Sequence, residues 1–385
     1  MTITYGKQYI DKLDEKSVIS TLRSKKLTQG PQVTKFEQVL NKKFGSRYSC
    51  AVINGTAGLH LCGLALGWKK NDIILCSVMS FLAASNAVIY CGATPAFIDI
   101  NEKDFNIDLI EVEKKIKKYN KYKRRVKALI ATDFAGNPCD WKKLSLITKK
   151  FKLKLINDNC HAIGAKYDYK ANYASKYADI AVHSYHAVKN ITTGEGGAVL
   201  TNDKKIHDKI KILRSHGVLK TKIKEKPWNY QMKYLGFNYR ITDIQCSLGI
   251  SQLKKLDKFV KKRNEIAKIY RKNFEGKNFF KTQYVKENNY HAYHLFPLLI
   301  NFKKIGKKKW KLFDFLANKN IFLQVHYTPI HLQPFYMKNF GYKKGDFPIA
   351  EKFFEDEISL PIYYNLSIKQ VNRICYLIKA FLLRR

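Results

Sequence analysis

Acidic residues are the scarce class in this sequence: 31 Asp and Glu stand against 71 Lys and Arg, a formal charge of +40. Long apolar runs are also missing. Without a run of about 18 apolar residues, no membrane span is expected. The opening "MTITYGKQYIDKLDEKS" has no apolar core and carries acids early, so it does not read as a secretory signal. None of the eight cysteines forms a CxxC pair, and they are scattered through apolar segments such as "LHLCGLAL". That argues against zinc and disulfides, and for buried free thiols in a reducing cytoplasm. No low-complexity linker or internal repeat is present, and no RRM, zinc-finger or helix-turn-helix pattern accompanies the positive charge. Such a field is suited to nucleic acid or an anionic surface. Its even spread, with abundant Lys, Asn, Ile, Tyr and Phe, instead fits compositional drift. No nucleic-acid or membrane partner is expected, although the field would attract a diphosphate-bearing substrate.

What is present is a patterned chain of 385 residues, long enough for two domains. From about residue 48 to 202, short apolar runs alternate with helix-like segments. "SCAVIN", "DIILCSV", "TPAFIDI", "VKALIATDF", "KLKLINDN", "IAVHSY" and "GGAVLTN" read as strands. The expected fold is α/β, with a large, mainly parallel, buried sheet. From Ile241 the apolar spacing becomes helical, as one long helix or two in series. "HLFPLLINF" and "IFLQVHYTPI" then read as strands among helices. The expected division is 1–254 for a large α/β domain and 255–385 for a smaller α+β domain.

Ligands of an open parallel sheet bind beyond the carboxyl ends of its strands, and the chemistry-bearing residues fall there. "NGTAG" (Asn54–Gly58) joins a strand to a helix and is either an anion-binding turn or an ordinary Gly-containing one. Asp158 ends the run "LKLI" in "NDNCH"; it is suited to bind a metal, orient a histidine, pair with a cationic ring nitrogen, or cap a helix. Ser184, His186 and Lys189 lie between two strand-like runs, with "TTGEGG" following. A lysine in a tight loop near a strand-end carboxylate and a phosphate-sized turn suggests a Schiff base with pyridoxal phosphate (PLP).

These stretches resemble the DegT/StrS family of PLP-dependent sugar aminotransferases, over nearly the whole chain. That resemblance implies a fold-type I PLP-dependent transferase. "SYHAVKNITTGEGG" is similar to the family's lysine motif, with Lys189 at the Schiff-base position. "INDNCHAIGA" places Asp158 at the residue contacting the pyridine nitrogen and His161 beside it. "NGTAGL" matches the phosphate turn at Thr56 and Ala57, and Ser184 matches a further phosphate contact. Phe81 matches the aromatic stacked on the cofactor ring, and "LGFNYRITDIQCSLGISQL" the segment that supplies an Asn, here Asn238, from a neighbouring subunit. A homodimer with shared sites is therefore implied. Two departures stand out: Val78 where the family often has Pro, and Asn159–Cys160 where small residues are commoner. "LTQGP", "QVHYTPIHLQPFY" and "EISLPIYYNLS" are similar to members acting on a UDP-4-keto-6-deoxy sugar, with L-glutamate as amino donor. His326 and Tyr327 are expected at that sugar nucleotide, as are Tyr5, His186 and Arg214. Lys189 and Asp158 are the expected catalytic pair, and no metal is expected. Related dehydratases carry His at the lysine position, so Lys189 argues against that chemistry; retention of Lys189 and Asp158 argues against a non-catalytic basic regulator.

Overall fold

A computed structural model describes residues 2–122, 125–220, 228–277 and 279–383. Seven strands form the central sheet: β1 (Tyr48–Val52), β2 (Ile73–Ser77), β3 (Thr94–Ile98), β4 (Val126–Thr132), β5 (Lys154–Asp158), β6 (Ile180–Ser184) and β7 (Gly197–Thr201). Their order is β1-β7-β6-β5-β4-β2-β3. The pairs among β2 to β6 are parallel. β7 is inserted antiparallel between β6 and β1.

The strands are apolar throughout because both faces of the sheet are covered. Alternate residues go to opposite cores: Ile73, Leu75, Leu129 and Leu155 pack with helices Pro31–Phe44, Leu109–Lys121 and Trp141–Lys150. Ile74, Cys76, Ile130 and Ile156 pack with helices Gly55–Ala65, Ala83–Tyr90 and Lys204–Leu213. Burying a side chain such as Phe36 completely contributes about 1.5–3 kcal/mol. Five of the free cysteines are buried in these layers, Cys375 is buried in a separate core, and Cys91 and Cys160 are half-buried.

The helical region after Ile241 is two helices in series, Asp243–Leu253 and Leu256–Phe274. Lys255, at the join, pairs with Asp14 and Asp11 at 2.5 and 2.9 Å. A hairpin of β8 (Val218–Lys220) and β9 (Tyr230–Met232) precedes them. A second, antiparallel sheet of β10 (Phe280–Thr282), β11 (Phe296–Ile300) and β12 (Glu357–Leu360) has its own core, with Ile266, Leu312 and Ile374. Ile3 belongs to that core by packing, so the N-terminus crosses to the smaller unit. The segment "IFLQVHYTPI", read as a strand, is not one: Ile321 bridges to Ile3 and Gln324 to Ser359, as isolated bridges. Within it, His326 and Tyr327 line the cavity described next. Among the described residues no helix is long and apolar enough to cross a membrane.

Candidate active site

Strand register collects the motifs. Thr132 is level with Asp158, Asp158 with Val182, Ser184 with Gly197, and Gly197 with Val52. The ends of β4, β5 and β6, the start of β7 and the turn after β1 therefore meet at one edge. A cavity of about 400 Å³ opens there, lined by Tyr5, Thr56, Phe81, Asp158, His161, Ser184, His186, Lys189, His326 and Tyr327 among others. That volume lies within the usual range for small-molecule sites, roughly 300–1,000 Å³.

Asp158 is buried at the last position of β5. Thr132 Oγ1 donates to Oδ2 at 3.4 Å, and the Cys160 N–H to Oδ1 at 3.3 Å. A turn, not a helix, follows it, so the helix-cap alternative fails. The departure at Asn159 is a buried anchor: its Nδ2 donates to Asp133 Oδ2 at 2.9 Å and lies 2.7 Å from the Tyr173 hydroxyl. Val78, in place of Pro, is fully buried, and its carbonyl accepts the Ile330 N–H at 3.0 Å.

Lys189 is held by a turn in which its N–H donates to the His186 carbonyl at 2.9 Å. Its Nζ lies 3.3 Å from His294 Nε2. Burial lowers its pKa from the ordinary lysine value, and Cys160 and Asp158 only partly oppose that. No carboxylate oxygen lies within 4.0 Å of Nζ among the described residues. A desolvated lysine of this kind has more free base near neutrality than a surface lysine.

At the other end, Asn54 caps helix Gly55–Ala65, its Oδ1 accepting the Ala57 N–H at 2.8 Å. Space is tight on both sides of this turn, and glycine is required at Gly197. A Cβ on Gly55 would stand 3.0 Å from Ser184 Cβ and 3.2 Å from Cys160 Sγ; one on Gly197 would stand 2.6 Å from the Asn54 carbonyl carbon. Without those side chains the helix N-terminus sits directly beside Ser184, and its dipole and free N–H groups favour an anion.

Between these ends the wall is aromatic and neutral. Phe81 is exposed, with its ring centroid 6.0 Å from that of Tyr327. The Tyr327 hydroxyl lies 3.1 Å from His161 Nε2, and the His161 and His294 rings are 4.6 Å apart. Burial, followed by the charge of Lys189, pushes His161 and His294 well below the ordinary histidine pKa and His326 down to about 3. His161 Nδ1 and His294 Nδ1 have no hydrogen-bond partner among the described residues. A neutral imidazole in such a place can orient a ligand without competing with Lys189 for a proton.

Three expected residues lie elsewhere. Arg214, expected at the substrate, is enclosed: its Nη1 donates to Glu37 Oε1 at 2.8 Å and to the Ala51 carbonyl at 2.5 Å. It ties helix Pro31–Phe44 to β1 and does not reach the cavity. Ala57 stands behind the turn, its amide used by the Asn54 cap. Asn238 is exposed, bridged to Ser215, and outside this chain's own cavity. "LTQGP" is likewise a structural joint, in which Asp243 accepts the Gly30 and Gln32 N–H groups at 2.6 and 2.7 Å. Sequence reasoning missed Asn54, Thr132, Cys160, Glu195 and His294, all on the cavity wall. Asn54 was detectable as a polar residue opening a helix; His294, 105 residues from Lys189, carried no local signal.

The arrangement fits pyridoxal phosphate: an enclosed amine, a strand-end carboxylate, an aromatic wall and an anion-seeking helix N-terminus. Comparison with known proteins agrees. The model of the DegT/DnrJ/EryC1/StrS aminotransferase family matches residues 8–379. A UDP-4-amino-4,6-dideoxy-N-acetyl-beta-L-altrosamine transaminase of Campylobacter jejuni is 38% identical over 95% of this chain and 94% of its own length. The structure of Helicobacter pylori PseC, described as an aminotransferase involved in the biosynthesis of pseudoaminic acid, is 34% identical, with 99% of each chain covered and a TM-score of 0.89. The structure of the PLP form of Spr1654 from Streptococcus pneumoniae is 26% identical, with 99% of each chain covered and a TM-score of 0.89. The chain belongs to the DegT/DnrJ/EryC1/StrS aminotransferase family and is a sugar aminotransferase dependent on pyridoxal phosphate.

Proposed function

We propose that this enzyme moves the amino group of L-glutamate to the C4 carbonyl of UDP-2-acetamido-2,6-dideoxy-β-L-arabino-hex-4-ulose. The products are 2-oxoglutarate and UDP-4-amino-4,6-dideoxy-N-acetyl-β-L-altrosamine, for pseudaminic acid synthesis. The observation that carries the aminotransferase chemistry is the enclosed Lys189 amine, with Asp158 and Ser184 on the same cavity wall. The choice of sugar is supported by the likeness to the Campylobacter and Helicobacter proteins across nearly their whole length.

Lys189 would bind the cofactor covalently, Asp158 its ring nitrogen, and Thr56, Ser184 and the helix N-terminus its phosphate. When bound, the cofactor supplies an electron sink for the carbon that loses a proton. Once the amino group of glutamate has displaced it from the cofactor, the freed Lys189 Nζ would take the α-proton of glutamate and, in the second half-reaction, deliver a proton to C4 of the sugar. His161 and Phe81 would hold the cofactor ring, and Tyr5, His326 and Tyr327 line the cavity where the sugar would bind. Proximity within one cavity lowers the entropic part of the barrier.

The site is completed in a homodimer by Asn238 of a second copy. Asn238 follows closely in the chain on the exposed apolar residues Trp228, Tyr230, Met232 and Leu235, from 65% to 78% exposed. Apolar area of that kind marks a surface that another chain covers.

The test is the near-visible absorbance of the purified protein with PLP, before and after L-glutamate, followed by a panel of UDP-4-keto sugars. A spectral change with glutamate, and amino-sugar formation from the L-arabino ketone ahead of its stereoisomers, is the expected result. No change with glutamate, or preference for another sugar, contradicts the donor or the acceptor respectively.

A further inference from the structure

Behind His326 a buried polar chain runs away from the cavity. His326 Nδ1 lies 2.8 Å from Ser359 Oγ, and Ser359 Oγ donates to Glu357 Oε1 at 2.5 Å. The other carboxylate oxygen, Oε2, accepts the His326 backbone N–H at 3.1 Å. Ser359 and Glu357 are fully buried and two residues apart on β12, so both point to the same side of the strand.

Proton counting fixes the sense of this chain. An ionised carboxylate accepts only, so the single Ser359 proton goes to Glu357. Ser359 then offers His326 a lone pair, and the ring proton must sit on Nδ1. In a neutral imidazole that leaves Nε2 bare. Burial and the nearby Lys189 charge keep the ring neutral. His326 lines the cavity, with Tyr5 packed 5.0 Å away, centroid to centroid.

We propose that Glu357 and Ser359 are positioning residues that lock His326 as its Nδ1–H tautomer, so that Nε2 accepts a hydrogen bond from a hydroxyl or amide N–H of the sugar. The sugar contact rests on the function proposed above; the tautomer rests on the hydrogen-bond geometry together with an ionised Glu357 and a neutral His326. The arrangement also discriminates between the two substrates that share the cavity. The carboxylates of glutamate offer no proton to a bare Nε2, whereas a hydroxylated N-acetyl sugar offers several.

The test is the nitrogen NMR of histidine-labelled protein at about pH 8.5, where Glu357, pushed up to about 7 by burial, is ionised. The expected result for His326 is a protonated Nδ1 and an unprotonated Nε2, with Ser359→Ala losing the single tautomer. In the holoenzyme, Ser359→Ala should raise KM for the keto sugar about tenfold, as for loss of one oriented hydrogen bond, and leave the glutamate half-reaction within about twofold. A protonated Nε2 in the wild-type protein overturns the relay, whether or not any variant folds. Equal losses in both half-reactions overturn the sugar contact. If the wild-type tautomer is as expected but no UDP-keto sugar is turned over, the sugar reading fails and the relay stands.

Discussion

Lys189 and Arg214 are both enclosed cations, yet their surroundings push them in opposite directions. Arg214 is disfavoured by burial, but Cys50 and the bonded Glu37 outweigh that and raise its pKa. Lys189 has no carboxylate within ion-pair distance among the described residues; its close neighbour is the neutral His294, and its pKa falls. Arg214 ties a helix to a strand. Lys189 has a lowered pKa and a cavity in front of it. A buried charge whose partners are complete supports the fold, and one whose partners are incomplete is available for chemistry.

The sharpest way to break this comparison is to exchange the properties of the two sites. Lys189→Ala should lower 2-oxoglutarate release from glutamate by at least about 10³-fold, and Lys189→Arg should do as badly, because a guanidinium keeps the charge but gives up no proton. An active Lys189→Arg enzyme would show that charge alone suffices. Asp158→Asn, on the same wall, should retain PLP but lose roughly 10²–10⁴-fold in turnover, measured on protein shown by absorbance to carry the cofactor.

Arg214→Met should instead cost stability, about 1–3 kcal/mol in denaturant unfolding, because the partly buried Glu37 loses its cationic partner and keeps only the Ala51 N–H. Adding Glu37→Met should recover much of that loss, and KM for both substrates should stay unchanged in the folded fraction. A KM effect on the sugar would return Arg214 to the substrate.

The smallest expected effect is a pH slope. Because the folded pKa of Lys189 is depressed, the unfolded chain binds more protons between that value and the ordinary lysine value. Without cofactor, wild-type protein should therefore gain stability relative to Lys189→Met as pH rises through that window, by about 1.4 kcal/mol per unit of depression. Unfolding midpoints of both proteins at neutral and alkaline pH measure it. Identical slopes would mean that Lys189 carries an ordinary pKa and is not poised.

The α/β alternation and the strand ends were legible because both are local. Apolar runs of five to seven residues mark buried strands, and a carboxylate, a serine or a Gly-rich turn immediately after them reports the edge of the sheet. Asp158, Ser184 and Lys189 were found that way. "IFLQVHYTPI" misled the reading because its apolar residues Ile321, Leu323 and Ile330 pack into two separate cores while only Ile321 and Gln324 make isolated bridges, and that composition is the same as a strand's. Arg214 misled it because nothing near residue 214 in the chain reveals Glu37, 177 residues away.

By itself, then, the sequence determined the type of fold, the sheet edge at which the cavity opens, and the lysine and aspartate that line it, since each depends on residues close together in the chain. Only the tertiary structure decided which cations are neutralised, which histidines surround Lys189, and that Glu357 and Ser359 stand behind His326. Those facts depend on which distant segments meet, and burial gives such meetings their electrostatic weight.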